Sequence, residues 1–231
     1  MKNQKVLDNL ANIKKNVLLA KNKNVELNEK EQKVNIIAVS KRQPIERINT
    51  LLETGHKIFG ENQVQESIHK WISLKKKFDN IELHLVGPLQ SNKVKDAMQI
   101  FDCIQTVDRE KIAKVLKSEE EKLNKQISYM IQINTGEEKQ KSGIMPDDAD
   151  DFFKYCVNDL KLNIKGLMCI PPFNQDPTIH FGYLKKKQQQ YDLSYLSMGM
   201  SNDYEKAIRM GATHIRVGTC IFGERLEKAS K

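Results

Sequence analysis

Lys41 closes a run of mostly β-branched and apolar residues that begins at Val34, and only Ser40 separates it from the last apolar position. A short apolar run that stops abruptly is typical of a buried parallel strand, so we expect Lys41 to stand where a strand ends. Ligands of α/β folds bind at the carboxyl ends of the strands. A lysine amine walled by apolar residues is a candidate for imine formation with an aldehyde. The alternative is a solvated lysine, because most lysines are exposed.

Two glycine-containing loops further along the chain offer groups that bind an anion. The first reads SMGMS at 197–201, and in the second Gly218 precedes Thr219. Both present hydroxyl groups and unscreened backbone N–H groups, and the first leads into a helix N-terminus, whose dipole attracts an anion. Ordinary turn and capping chemistry is the alternative for either loop alone. If the fold brings both loops close to Lys41, whose amine can form an imine, the three features together predict a ligand that carries a phosphate and an aldehyde.

Arg216 and Asn62 are the remaining candidates for ligand contacts. Alternation along the last predicted strand puts His214, Arg216 and Gly218 on one face. If this face points inward, Arg216 reaches a ligand ring, and an arginine facing a pyridine nitrogen disfavours its protonation because Arg stays charged. A salt bridge to a carboxylate inside the sheet is the alternative. Asn62 follows the second predicted strand, where it either hydrogen-bonds a ligand hydroxyl or caps its helix.

These residues need a scaffold that brings distant strand ends together, and the hydrophobic pattern supplies one. Residues 3–22 have apolar groups at helical spacing and predict an amphipathic helix ahead of the first strand. Apolar strand runs then alternate with amphipathic helical patterns. The predicted strands cover residues 34–41, 57–60, 81–87, 103–107, 127–134, 164–170, 193–197 and 213–217.

Strict alternation predicts a parallel sheet with helices outside it, and this number of units predicts closure into a (β/α)8, TIM-type barrel. An open doubly wound sheet is the alternative, but no GxGxxG follows the first strand and no GxxxxGK[ST] occurs. Closure places the last strand beside the first, so Arg216, Gly218 and Thr219 come close to Lys41. The loops after strands seven and eight are then in the customary phosphate position of such barrels. Pyridoxal 5′-phosphate has both the aldehyde and the phosphate that this arrangement requires.

We expect one α/β domain over residues 1–231, with the helix and a connector in 1–33 and the barrel in 34–225. Pro44 suits the start of the helix after the first strand. Asp108 and Ser201 are placed to cap the helices after the fourth and seventh strands. Polar residues after the third and fifth strands either line the mouth of the barrel or are solvated: Gln90, Asn92, Lys93, Glu138, Lys141 and Ser142.

Composition excludes several function classes. The 231 residues carry a formal charge of +8, but the basic residues are spread along the chain with acidic residues between them. Aromatic and basic residues do not interleave and zinc-finger spacing is absent, so we expect solvated helix faces rather than a nucleic-acid site. The five histidines show neither HxH nor HExxH spacing, so we expect no transition-metal site.

The four cysteines form no CxxC pair, and three of them lie in apolar surroundings. This usage is typical of reduced, buried thiols in a cytoplasmic protein. The first residues include no apolar h-region, so we expect no signal peptide. No run approaches the ~20 apolar residues that a membrane helix needs, so we expect no contact with a membrane interior.

Seven motifs between residues 34 and 225 resemble, in order, those of the pyridoxal phosphate homeostasis proteins. They are AVSK (38–41), FGEN (59–62) with VQE (64–66), HLVG (84–87) with LQSNK (89–93), GEEKQKSG (136–143), GLM (166–168), LSMGMS (196–201) and IRVGT (215–219) with IFG (221–223). The resemblance is weakest in the first 33 residues, in 173–192 and at the end of the chain. It implies a barrel like the N-terminal domain of alanine racemase.

The resemblance also implies the roles of the cofactor-binding residues. Lys41 would carry pyridoxal 5′-phosphate as a Schiff base, an internal aldimine. Arg216 would face the ring nitrogen, and Asn62 would lie close to the cofactor. The phosphate would be held by Ser201, Gly218 and Thr219.

The family is thought to buffer or deliver the cofactor and to influence the balance of amino acids and keto acids, without firm catalytic activity. Alanine racemase has a second, β-rich domain with a catalytic tyrosine, and we expect no such domain from the residues that follow the last strand. A cofactor with few substrate-orienting groups loses most of the benefit of positioning. We therefore expect a monomeric carrier with no catalytic residues, and apo-enzymes that depend on the cofactor as its acceptors. The alternatives are a weak amino-acid racemase and a lysine-imine aldolase without a cofactor.

Overall fold

The computed structural model describes residues 2–22 and 33–224. Residues 23–32, which make up most of the predicted connector, and the predicted barrel end at residue 225 lie outside this part of the chain. Helix α1 (Lys2–Asn22) precedes the first strand, as its apolar spacing predicts, and it packs against the helices that follow strands one, seven and eight. One stripe of the helix is buried, as expected of an amphipathic helix. It consists of Val6, Leu10, Ile13, Val17 and Ala20.

Parallel strands form a closed barrel in which each strand pairs with its neighbours in sequence and β8 pairs with β1. This confirms the predicted TIM-type fold, and the strand ends differ from the predicted ones by at most two residues. The strands are β1 (Asn35–Val39), β2 (Ile58–Glu61), β3 (Glu82–Leu85), β4 (Cys103–Val107), β5 (Ser128–Ile133), β6 (Ile164–Cys169), β7 (Tyr195–Ser197) and β8 (His214–Val217).

Helices follow the strands and cover the outside of the barrel. They are α2 (Ile45–Glu53), α3 (Val64–Lys77), α4 (Val94–Ile100), α5 (Glu110–Leu123), α6 (Ala149–Lys154), α7 (Pro177–Gln190), α8 (Tyr204–Arg209) and α9 (Thr219–Phe222). Alternate strand residues, such as Ala38, Leu83 and Ile215, pack against these helices in one apolar cluster. Burial of such a cluster is the main favourable term in folding.

The inside of the barrel is mixed in character. Cys103, Met130 and Met168 form a small buried apolar group near its middle. The remaining positions include polar side chains that are at most 4 % exposed: His84, Gln105, Ser197, His214 and Arg216. Polar groups buried to this extent need hydrogen-bond partners, and their partners define the floor of the site described below.

Both predicted helix caps are wrong. Helix α5 begins one residue later than expected, with the extended residue Arg109 at the cap position, and Asp108 accepts a hydrogen bond from the Arg109 guanidinium instead. Helix α8 begins at Tyr204, and the side chain of Asp203 accepts the N–H of Met200 at 2.5 Å. Ser201 therefore lies in the turn before the helix, where its side chain is available to the cavity at the barrel mouth. Pro44 does precede the first residue of α2, as predicted.

The burial of the cysteines agrees with the prediction made from the residues around them. Cys103, Cys156 and Cys169 are buried, Cys220 is exposed, and all four thiols are free. In residues 2–22 and 33–224, no helix is long and apolar enough to span a bilayer.

Candidate functional site

A cavity of about 590 Å³ opens at the carboxyl ends of the barrel strands. This is the end at which α/β barrels bind their ligands. Its lining includes every residue that the sequence singles out for cofactor binding: Lys41, Asn62, Ser201, Arg216, Gly218 and Thr219. Barrel closure brings them together, since β8 pairs with β1 over the register from Asn35–His214 to Ala38–Val217. Their roles toward a cofactor stay predictions.

Lys41 lies two residues beyond β1, in a tight turn whose flanking residues are fixed. The N–H of Ser40 bonds to the carbonyl of Gly60 at 2.9 Å, so the neighbouring strand holds the chain up to the residue before Lys41. Arg42 has the left-handed φ of 57°, a conformation that costs a non-glycine residue on the order of 1 kcal/mol. The N–H of Arg42 donates to the carboxylate of Glu66 at 2.7 Å, which stabilises this turn.

Beneath the turn lies a buried ionic group, which we name the Lys70 cluster: Glu61 at the end of β2, with Glu66 and Lys70 on α3. The Lys70 amine donates to Glu61 Oε1, to Glu66 Oε1 and to the carbonyl oxygen of Ser40, each at 2.9 Å. Glu61 Oε1 also accepts the Ser40 hydroxyl at 2.7 Å and the indole N–H of Trp71 at 3.0 Å. Both neighbours of Lys41 are therefore tied to this cluster.

The two charges at the centre of the Lys70 cluster are almost withdrawn from water. The Glu61 side chain is 0 % and the Lys70 side chain 8 % exposed. Burial raises the pKa of Glu61, and the attraction of Lys70 opposes this shift. Removal of one partner of such a pair leaves a buried charge uncompensated, which is costly. Lys70 was missed from the sequence because a lysine on a helix is ordinarily solvated, although its i,i+4 spacing from Glu66 is a signal.

Arg216 forms part of the cavity floor and is 4 % exposed. Its guanidinium donates to the Ser197 hydroxyl at 2.8 Å and to the carbonyl oxygen of Cys169 at 2.7 Å. Both acceptors are neutral, so these bonds hold the side chain without cancelling its charge. Burial lowers the pKa of Arg216, but a guanidinium remains a cation at neutral pH.

The loop after β7 places Ser201 on the cavity, and Gly199 determines its path. Gly199 has φ 90°, and a Cβ there would lie 2.6 Å from the Cβ of Ala207 and 2.9 Å from the Cα of Tyr204. The carbonyl of Gly199 accepts the N–H of Arg216 at 2.9 Å, so this loop is joined to β8. Gly218 stands at the cap position of α9 and Thr219 is its first residue, where the first N–H groups of a helix have no acceptor within it.

Asn62 lines the cavity and does not cap its helix. Helix α3 begins at Val64, with Gln63 at the cap position and no side-chain cap. A Cβ on Gly87 would lie 2.3 Å from the backbone oxygen of Asn62, so the glycine after β3 allows the two loops to meet. Close approach of this kind is a common reason for a glycine next to a binding site.

The rest of the lining was only partly predicted. Of the polar residues after strands three and five, Lys141 reaches the cavity, where it pairs with Glu138. The segment after β6 supplies an apolar wall with Ile170 and Pro172, and at its edge Phe173 is 95 % exposed. Sequence reasoning missed this wall because prolines and a phenylalanine between a strand and a helix equally predict an ordinary loop.

The donor set of the cavity fits an anionic, aromatic aldehyde. Lys41 supplies an amine, Arg216 a cation, and Ser201 and Thr219 hydroxyl groups beside the glycine at 218. Hydroxyls and helix N–H groups are typical phosphate ligands. Apolar residues on the opposite wall suit a flat ring.

Known proteins share both the sequence and the shape of this chain. The family model described as "Alanine racemase, N-terminal domain" matches residues 9–226. A pyridoxal phosphate homeostasis protein of Pasteurella multocida is 38 % identical over 94 % of this chain and 96 % of its own length. The solved structure of PipY from Synechococcus elongatus PCC7942, with PLP bound, is 31 % identical, has a TM-score of 0.79, and is matched over 94 % of this chain and 100 % of that one.

A more distant structure shows the fold alone. Alanine racemase from Bartonella henselae has a TM-score of 0.73 at 14 % identity, over 96 % of this chain and 59 % of that one. The closed barrel with its preceding helix is thus an arrangement that racemases also have. By sequence match and by coverage, the chain belongs to the pyridoxal phosphate homeostasis family, within the alanine racemase N-terminal domain class of barrels.

Proposed function

We propose that this protein binds pyridoxal 5′-phosphate (PLP) in the barrel-mouth cavity, holds it as a Schiff base on Lys41, and acts in cofactor homeostasis. The observation that carries the proposal is the convergence of Lys41, Arg216 and the hydroxyls of Ser201 and Thr219 on one cavity. PipY, a relative of the same shape, has PLP bound. The curated relatives at comparable coverage are named for PLP homeostasis.

In this proposal the chemistry is reversible and belongs to Lys41. Its amine would add to the aldehyde carbon, and both amine protons would pass to the former carbonyl oxygen, which leaves as one water and gives a carbon–nitrogen double bond. Hydrolysis reverses each change and releases the aldehyde intact. Ser201, Gly218 and Thr219 hold the phosphate end, and Asn62 lies beside the ring.

Arg216 favours storage over catalysis in this scheme. A permanent cation opposite the ring nitrogen disfavours its protonation, and an unprotonated ring is a weaker electron sink than one paired with a carboxylate. We therefore propose a carrier without firm catalytic activity, with weak amino-acid racemisation as the alternative function.

Reduction with borohydride tests the covalent site. Purified protein with added PLP is expected to show the absorbance of a protein-bound Schiff base, and borohydride is expected to fix the cofactor to the peptide that contains Lys41. Lys41→Ala should bind PLP without covalent attachment. Lys141→Ala removes another amine of the same cavity and should keep the attachment, which makes it the matched control. Covalent label in Lys41→Ala would show that the site is wrong, and absence of cofactor absorbance would favour an aldolase without a cofactor.

Proton exchange separates the carrier from the racemase. The loaded protein is incubated with L-amino acids in deuterated water, and α-proton exchange is followed by NMR. Rapid exchange with turnover would contradict the carrier function. Transfer of PLP to an apo-enzyme, without exchange, is the expected result.

We also propose that the carrier is a single-domain, cytoplasmic monomer whose acceptors are apo-enzymes that depend on PLP. The proposed ligands of the cofactor all come from one chain, which is why a monomer suffices. Four free cysteines are typical of a reducing compartment. Sedimentation of the loaded protein should give one species at the mass of a single chain; a stable dimer would contradict this part of the proposal.

A further inference from the structure

Four hydrogen bonds connect Arg216, at the floor of the cavity, with Glu82, at the opposite end of the barrel. The Arg216 guanidinium lies 2.8 Å from the Ser197 hydroxyl, which lies 2.6 Å from Oε1 of Gln105. Nε2 of Gln105 lies 2.7 Å from Nδ1 of His84, and Nε2 of His84 lies 2.8 Å from Oε1 of Glu82. These bonds join β8, β7, β4 and β3 through the inside of the barrel.

The donor and the acceptor of each of these four hydrogen bonds follow from the chemistry of the two terminal residues, Arg216 and Glu82. Arg216 has only donors, so Ser197 accepts from it and gives its own hydrogen to the Gln105 carbonyl. The Gln105 amide then donates to Nδ1 of His84, which leaves the ring hydrogen on Nε2. The acceptor for that hydrogen is a carboxylate, and the hydrogen bond from His84 lowers the pKa of Glu82, which favours the acceptor-only form.

The three central side chains of this set, Ser197, Gln105 and His84, are buried, so solvent does not replace a lost hydrogen-bond partner. Ser197 and Gln105 are 0 % exposed and His84 is 1 % exposed, whereas Glu82 is 47 % exposed. A buried polar group without a partner is costly, so a change at any link disturbs its neighbours. Hydrogen bonds that all run in one direction also strengthen each other. The Arg216 end of the chain is thus held by bonds that extend to the surface on the other side.

Stability alone is a weak reason for such a chain. Apolar side chains fill the same layers of the barrel elsewhere, as Met130 and Met168 do on neighbouring strands. Replacement of a hydrogen-bonded set by apolar groups of the same shape is generally near neutral. Hydrogen-bonded side chains hold the guanidinium of Arg216 in a defined position, and apolar side chains in the same place would not.

We propose that Ser197, Gln105 and His84 are positioning residues that form a relay from Glu82 to Arg216, and that this relay fixes the guanidinium beneath the bound cofactor. The inference rests on the proposed function and deepens it. The relay sets how firmly the ring is held and how its electrons respond, because the position of a cation controls its effect on a nearby ring. PLP serves as both the ligand and the reporter in the test, since its absorbance depends on its surroundings.

Gln105→Leu cuts the relay at its middle and keeps a similar volume. We expect about a tenfold rise in the Kd for PLP, the size of one lost hydrogen bond, together with a shift of the bound absorbance band. Thr106→Val is the matched control. Thr106 is the next residue of β4, is 1 % exposed and donates to the carbonyl of Gly87 at 2.9 Å, outside the relay. It should leave the Kd and the band as they are in the wild type.

Ser197→Ala provides a second cut that removes a single oxygen, so a folded protein is available even if the leucine variant does not fold. It should change the Kd and the band in the same direction. An Arg216→Met background completes the test, because a relay that acts through Arg216 has nothing left to position there. Gln105→Leu should then add no further change to the Kd or the band.

Each result decides between the proposals. The relay would be overturned if the Kd and the band were unchanged in both Gln105→Leu and Ser197→Ala. It would also be overturned if Gln105→Leu changed them as much in the Arg216→Met background as in the wild type. In either case, binding of PLP by the wild type would still uphold the proposed function. Absence of a Schiff-base band in the wild type itself would overturn the proposed function first.

Discussion

The turn that contains Lys41 is held by side chains that do not line the cavity. The Lys70 cluster bonds to Ser40 on one side of Lys41 and to Arg42 on the other. A reactive amine gains from such support because a misplacement of about 1 Å is enough to weaken a covalent step. The relay does the same for Arg216, so the amine and the cation of the site are each positioned from outside it.

Lys70→Met should destabilise the protein by about 3–5 kcal/mol, because it leaves the Glu61 carboxylate buried without its cation. The free energy of unfolding, from urea titration, measures this loss, and the Kd for PLP should rise with it. Lys75→Met is the matched control, since Lys75 lies on the same helix and pairs with Asp102, whose side chain is 43 % exposed. It should cost at most about 1 kcal/mol. Equal losses in both variants would contradict the proposed role of the Lys70 cluster.

His214 makes stability depend on pH. Burial lowers the pKa of His214 from 6.5 to about 3, and the charges of Arg216 and Lys33 act in the same direction against that of Glu82. The folded state therefore binds this proton less readily than the unfolded state. The stability that results is present above pH 6.5 and is lost as pH falls from 6.5 toward 3, by at most on the order of 5 kcal/mol.

His214→Phe should reduce this loss while it keeps a ring against Tyr195, whose centroid lies 4.7 Å away. Urea unfolding at pH 7 and at pH 4.5 measures the difference. His69→Gln replaces an exposed histidine of α3 and serves as the control. An acid dependence in His214→Phe equal to that of the wild type would assign it to other groups.

At the scale of elements, the strands were predictable, whereas the caps of α5 and α8 were not. Strand β4 has the predicted limits, Cys103 and Val107, because a short run that contains Ile, Thr and Val and is bounded by an aspartate on each side indicates a strand. The predicted cap of α8 was wrong because the chain makes a further turn after Ser201 and the helix begins only at Tyr204, so that Asp203 rather than Ser201 stands at the cap position. That choice depends on backbone angles that a sequence does not contain.

Gly199→Ala tests the loop after β7. Alanine at this position is strained by the left-handed backbone, and its Cβ clashes with Ala207 and Tyr204. We therefore expect the free energy of unfolding to fall by about 2–4 kcal/mol and PLP to bind more weakly. Gly55→Ala is the control, because Gly55 has a similar φ of 81° and nothing within 4 Å of the added carbon. It should cost only about 1 kcal/mol. Thermal unfolding compares the two, and equal losses would show that the contact with α8 is unimportant.

At the scale of the molecule, α1 covers the seam at which the barrel closes. It packs against α2, α8 and α9, the helices that follow β1, β7 and β8. The amide of Asn9 donates to the carbonyl of Ile221 at 2.9 Å, and the amide of Asn16 donates to the Tyr204 hydroxyl at 3.0 Å. The sequence predicted this helix from its apolar spacing but not its location, since the stripe of an amphipathic helix does not identify the surface that it covers.

Leu10→Ala should therefore weaken the whole barrel by about 2–5 kcal/mol, as expected for a core leucine. Leu10 is 3 % exposed, whereas Leu18 on the same helix is 63 % exposed, so Leu18→Ala should cost less than about 0.5 kcal/mol. Urea unfolding followed by both fluorescence and circular dichroism measures the change. Two separate transitions in Leu10→Ala would mean that α1 unfolds independently and does not support barrel closure.

The distribution of the four cysteines makes the protein a ready optical sensor. Cys220 is exposed, and its sulfur lies 3.6 Å from the carbonyl oxygen of Ser201, at the edge of the loops that we propose to bind the phosphate. Burial raises the pKa of Cys156 and of Cys169 to about 12, and it also raises the pKa of Cys103, so maleimide dyes have one thiol to react with in the native state. A fluorophore attached there would be quenched by energy transfer whenever a yellow ligand occupies the barrel mouth. Loading and release could then be timed in real time on the native sequence, without introducing a reporter residue.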